Sequence, residues 1–111
     1  MTKREAVEGH RKLWGKITDL LRSGEKYDYA DDYKKIALRE IGECDGLFND
    51  CYCCEYSNDD HCIDCPVIWE NDDTCCHAEY GIFCRAVLNK DYFLATEYAE
   101  KIANLPERWG V

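Results

Sequence analysis

The chain has 111 residues, of which 46% are hydrophobic and 33% charged, and carries a formal net charge of −9. That length predicts a single domain spanning 1–111 with a modest core. The acidic balance argues against general nucleic-acid binding, which draws on Lys and Arg neutralising phosphates, and against an anionic membrane surface. No apolar run approaches the ~20 residues of a membrane span.

Residues 2–23 read as an amphipathic helix. Thr2 and Glu5 have capping-box spacing. Ala6, Val7, His10, Leu13, Trp14, Ile17, Leu20 and Leu21 recur at the helical period and form its core face, with Ser23-Gly24 as the stop. His10 reads as a core or boundary histidine. Lys12 and Lys16 follow Glu8 on the solvent side as an ion-pair ladder.

A second helix is expected over 28–41. Asp28 or Asp31 is its candidate cap, Tyr33, Ile36, Ala37 and Ile41 its apolar stripe, and Gly42 its terminator. Its acids come first and Lys34, Lys35 and Arg39 later, the order that the helix dipole favours. Helical structure therefore fills 1–42.

Residues 43–77 show no sustained period and contain several turn signals, among them Asn49-Asp50 and Ser57-Asn58-Asp59-Asp60. A stretch that long is no ordinary loop in a compact domain. Tyr52, Tyr56, Ile63, Val67, Ile68 and Trp69 argue against disorder, so something other than a hydrogen-bond ladder is expected to order it. Residues 78–88 suit a short helix, with Tyr80, Phe83, Val87 and Leu88 in contact positions. Asp91 then caps a last helix over 91–105, whose stripe is Leu94 or Ala95, Tyr98, Ala99, Ile102 and Leu105, ended by Pro106.

All nine cysteines lie between Cys44 and Cys84. The window from Glu40 to Cys84 holds twelve acids and no base, which leaves 11 acids and 14 bases, or +3, for the rest. With an N-terminus lacking an apolar h-region, the expected compartment is a reducing cytosol, where thiols stay free or bind metal. An odd number of cysteines also suits a disulfide framework poorly. Disulfides are the competing reading.

Cys51 and Cys54 have CxxC spacing, and so do Cys62 and Cys65, which Pro66 follows. Two such turns can aim four thiolates at one zinc ion in a closed tetrahedral site, the arrangement of structural zinc. The metal segment is thus 43–84. Cys75 or Cys76 could replace Cys62 or Cys51, or join His77, His61 and Cys84 in a second site, so Cys76 and His77 are further candidate ligands. Cys44, Cys53 and Cys84 read as buried thiols. Metal binding would act there as folding free energy, in place of a thick apolar core. Four thiolates and one Zn2+ add −2, so the site creates no basic surface, unlike nucleic-acid-binding fingers.

No HExxH, HxE…PCxxC, GxSxG or phosphate-loop pattern is present. The CxxC units lack the βαβ setting of redox proteins, and acidic neighbours raise thiol pKa and lower reactivity. The expectation is a non-enzymatic protein. Its acidic face with embedded aromatics would contact a partner with a basic surface. A thiol redox or metal-dependent enzyme is the alternative reading, and a nucleic-acid-binding zinc knuckle protein the third.

Four stretches, MTKREAVEGHRKLWGKI, NDCYCCEY, CIDCPVIW and IANLPERW, together span nearly the whole chain. This ensemble resembles small cysteine-rich proteins encoded by phages and prophages of Firmicutes. Those proteins open with a similar EA…HR.LW helix and carry a CxxCEY…CxxCP.xW core. The resemblance implies Cys51, Cys54, Cys62 and Cys65 as the metal set and Cys76 as a further ligand; Cys53, Cys75 and Cys84 stand outside the pattern. It carries no enzymatic activity with it. It implies a small phage protein of the host cytoplasm, an accessory or counter-defence factor, and the acidic window adds a basic host protein as its expected partner. The expected fold is mainly α: a small helical domain around a zinc-stapled central loop, with short strands at the CxxC turns.

Overall fold

The computed structural model describes residues 2–42, 65–69 and 78–107. They form four helices: α1 (Lys3–Arg22), α2 (Ala30–Glu40), α3 (Glu79–Leu88) and α4 (Tyr92–Ala103). The described part of the chain is mainly helical, as its periodicity predicts.

Helix α1 begins where its capping box places it. The Glu5 amide donates to the Thr2 hydroxyl at 3.1 Å, and the Thr2 amide donates to the Glu5 carboxylate at 2.8 Å. Both bonds satisfy donors that the first helical turn would otherwise leave open. They also favour the charged carboxylate, so the Glu5 pKa lies below its ordinary value, the backbone bond to Thr2 being the main cause. The helix ends in a Schellman motif. The Glu25 amide reaches the Leu20 carbonyl at 3.0 Å and the Gly24 amide reaches Leu21 at 3.1 Å, with Gly24 at φ 86°. All eight residues of the predicted core face are buried, including His10.

Helix α2 starts later than expected, and neither Asp28 nor Asp31 caps it. The cap is Tyr29, whose amide donates to the Asp32 carboxylate at 3.2 Å. An acid three residues into a helix can supply that bond, so no acid is needed at the cap itself. Tyr33 and Ala37 are buried as expected, and Ala30 and Leu38 join them. Gly42 does terminate the segment, at φ 86°.

The joint between α3 and α4 is tight. Asp91 closes a Schellman motif on α3, its amide reaching the Ala86 carbonyl at 2.8 Å. Its side chain meanwhile caps α4 by accepting from the Leu94 amide at 3.1 Å. Lys90 occupies the left-handed position of that motif, at φ 59°, where glycine is the usual residue. Leu88 faces solvent rather than the core, because α3 ends there. Ala86 takes an inward place instead.

Helix α1 packs along α4 and against α2, and α3 packs on α4. At the centre the Trp14 ring meets Phe83 edge-on with centroids 5.0 Å apart, and Tyr33 meets Phe83 at 6.2 Å. Edge-to-face pairs of this kind contribute about 0.5–1.5 kcal/mol each beyond their area. Tyr33 has its hydroxyl donating to the Glu25 carbonyl at 2.7 Å. Burial first of all raises the Tyr33 pKa.

The predicted ladder from Glu8 to Lys12 and Lys16 is absent among the described residues. Glu8 pairs with Arg4, while Lys16 reaches across to Glu40 on α2 at 2.9 Å. No strand occurs among the described residues. Among those residues one β-bridge, Val67 to Glu107, is antiparallel and lies two residues beyond Cys65.

Candidate functional site

Of the cysteines proposed to bind metal, Cys65 lies within the described residues. Cys51, Cys54, Cys62, Cys76 and His77 lie outside them, as do Cys44, Cys53, His61 and Cys75. Cys84 sits on α3, half-buried against the core.

Cys65 opens a five-residue segment, Cys65-Pro66-Val67-Ile68-Trp69, laid across the helical scaffold. Apolar side chains hold it down. Cys65 is 6% exposed, Val67 0% and Trp69 5%. Its backbone joins the residues after α4: the Ile68 amide donates to the Pro106 carbonyl at 2.8 Å, beside the Val67–Glu107 bridge. Pro106 has no N–H to offer but keeps its carbonyl, so it ends α4 and still accepts this bond.

The Trp69 indole ties the segment together. Its Nε1–H donates to the Cys65 sulfur at 3.4 Å. The CPVIW spacing brings the two side chains onto one side. The same ring meets His10 edge-on, centroids 6.1 Å apart and planes at 89°. His10 in turn donates from Nε2 to the Ile102 carbonyl at 2.8 Å. A carbonyl only accepts, so Nε2 carries the proton. That bond adds a side-chain donor to one of the last carbonyls of α4, which also accepts from the Leu105 amide at 3.3 Å. The sequence places His10 correctly on the core face. Its partner is a backbone atom 92 residues away, which no spacing rule encodes.

A sulfur that is buried and receives an N–H bond is suited to being a metal-bound thiolate. The bond stabilises negative charge on sulfur, as partners outside the immediate ligand set do at metal sites. Among the described residues, no group of three or more His, Cys, Asp or Glu side chains could hold a metal ion. Of the four cysteines expected to bind metal, Cys65 is the one among the described residues, and it is seated in the core.

Beside this segment lies a groove of about 360 Å³ lined by Ile68, Trp69, Glu79, Tyr98 and Lys101. The Lys101 ammonium sits over the Tyr98 ring at 4.6 Å. No helix among the described residues is long and apolar enough to cross a membrane. No family model, curated protein or solved structure matches this chain.

Proposed function

We propose that the protein is a zinc-stapled, non-enzymatic interaction module that presents an acidic surface to a basic protein. The observation that carries this reading is where the charge lies. The described residues hold thirteen bases and thirteen acids, which cancel. The whole net charge of −9 therefore belongs to the remaining segments, with ten acids and one arginine. Seven of those acids fall in 43–64 without a single base. The helical scaffold is electrically neutral, and the acids are gathered on the cysteine-rich part of the chain. Complementary potential of that kind steers association and selects partners of opposite sign.

Cys51, Cys54, Cys62 and Cys65 would hold the zinc, which supplies folding free energy to the segment when bound. The buried Cys65 with its Trp69 donor supports that ligand set. The resemblance to phage proteins supports a target in a bacterial host, with counter-defence or host takeover as the proposed role.

The test is affinity capture from host lysate with the intact protein and with a variant in which the seven acids of 43–64 become their amides. The proposal expects a basic protein retained at low salt, released by rising salt, and lost in the amide variant. Capture of nothing above background, or equal capture by the amide variant, would contradict it.

A further inference from the structure

A second groove among the described residues carries the opposite charge. It has a volume of about 580 Å³ and runs between α1 and the C-terminal half of α4, with Ile41 closing one side. Arg11, Gly15, Thr18 and Arg22 line it at intervals of four, three and four residues, which puts them along one face of α1. At the helical rise, that face extends about 16 Å. Lys12 and Lys16 flank it on the adjacent row.

The four cations fall into two kinds. Lys16 is bound to Glu40, and Arg22 to Glu100, so these two tie α1 to the neighbouring helices. The bond to Glu40 is also the first cause of the raised Lys16 pKa. Arg11 and Lys12 are exposed and make no ion pair among the described residues. They remain available to a ligand.

Gly15 is an independent sign. It lies in the interior of a twenty-residue helix, where glycine is a costly choice relative to alanine. A Cβ added there meets nothing within 4 Å, and the backbone is not left-handed. Neither packing nor conformation calls for glycine. What it does is leave the floor of the groove open beneath the cations.

Lys16 and Arg22 are balanced by Glu40 and Glu100, which leaves Arg11 and Lys12 against Asp19 and a local charge of +1. A phosphate group is attracted to that charge, and guanidinium groups match phosphate oxygens in geometry. The volume lies in the range of small-molecule sites. A long polyanion fits poorly, since two carboxylates face the same space and the chain as a whole carries −9. We propose that this groove binds a small phosphate-bearing ligand, with Arg11 and Lys12 as the anion-binding groups and Gly15 as the floor.

The test is an amide NMR titration of the full chain with inorganic phosphate and pyrophosphate, against sodium chloride at matched ionic strength. The expected result is saturable shifts centred on Arg11, Gly15 and Thr18 with either phosphate, and none with chloride. The exposed pair Arg11→Ser and Lys12→Ser should weaken binding at least tenfold, in line with the loss of charge-assisted bonds. Gly15→Ala should weaken it too while raising thermal stability, which separates a blocked groove from a damaged fold. Shifts that do not saturate, that chloride reproduces, or that survive the double substitution would overturn the proposal. So would a single-stranded oligonucleotide that binds the same residues more tightly than pyrophosphate and with steep salt dependence.

Discussion

Replacing Trp69 with phenylalanine removes one bond of defined consequence. The indole N–H reaches the Cys65 sulfur at 3.4 Å, and both side chains are almost wholly buried. Water can replace that donor only poorly. If Cys65 is a zinc thiolate, the loss falls on the bound metal, and substitutions at such supporting positions cost roughly 10–100-fold in affinity. That range is about 1.4–2.7 kcal/mol. Phenylalanine also shrinks a buried ring, so a packing cost must be separated from it. Trp14→Phe provides the control, because Trp14 is equally buried but packs on Tyr80 and Phe83 rather than on Cys65. Zinc affinity is read by competition with a chromogenic chelator, and stability by thermal melting of each variant. The expected outcome is that both variants melt earlier while Trp69→Phe alone loses zinc affinity by tenfold or more. Equal zinc affinity in the two variants would refute the assignment of the Trp69 bond to a ligating sulfur.

His10→Leu should destabilise the fold by about 0.5–1.5 kcal/mol, since it removes a buried bond and leaves the Ile102 carbonyl with only the longer one from the Leu105 amide. His10→Gln, which keeps a donor near Nε2, should recover part of that loss in denaturant melts. Lys90→Gly should stabilise by about 1 kcal/mol or less, because relief of the roughly 1–2 kcal/mol cost of an L residue at φ 59° is partly offset by the roughly 0.5–1 kcal/mol of extra backbone entropy that glycine loses on folding; an unchanged or lower melting temperature would count against it. The Glu5 carboxyl has a folded-state pKa below its ordinary 4.5. The capping box therefore contributes fully above that value and is lost as pH falls through the lower folded pKa. Protection of the amides at the start of α1, relative to their intrinsic exchange rates, should fall over that acid range in the natural chain, and Glu5→Gln should abolish this pH dependence of protection.

The helices were legible where one physical signal decided them. The capping box at Thr2 and Glu5, the eight-residue stripe of α1, the stop at Gly24 and the Asp91 cap all appear where spacing puts them. Boundaries were less legible where two residues could serve. Asp28 and Asp31 both look like caps, yet Asp32 bonds back to the Tyr29 amide. Leu88 fits the stripe of α3, but the helix ends beneath it. At the site, CxxCP spacing singles out Cys65, while the Trp69 donor and the His10–Ile102 bond arise from folding distant segments together. The basic groove was hidden for a related reason. In the sequence its cations are scattered among acids, and the helix period gathers them onto one side.

The central claim is that one zinc ion staples the cysteine-rich segment through Cys51, Cys54, Cys62 and Cys65. Native mass spectrometry of the intact chain, with and without a chelator, tests it most directly. The account predicts one zinc per chain, lost with the chelator, and lost in each single Cys→Ser variant at those four positions but retained in Cys84→Ser. A metal-free native chain whose cysteines are paired in disulfides would contradict it.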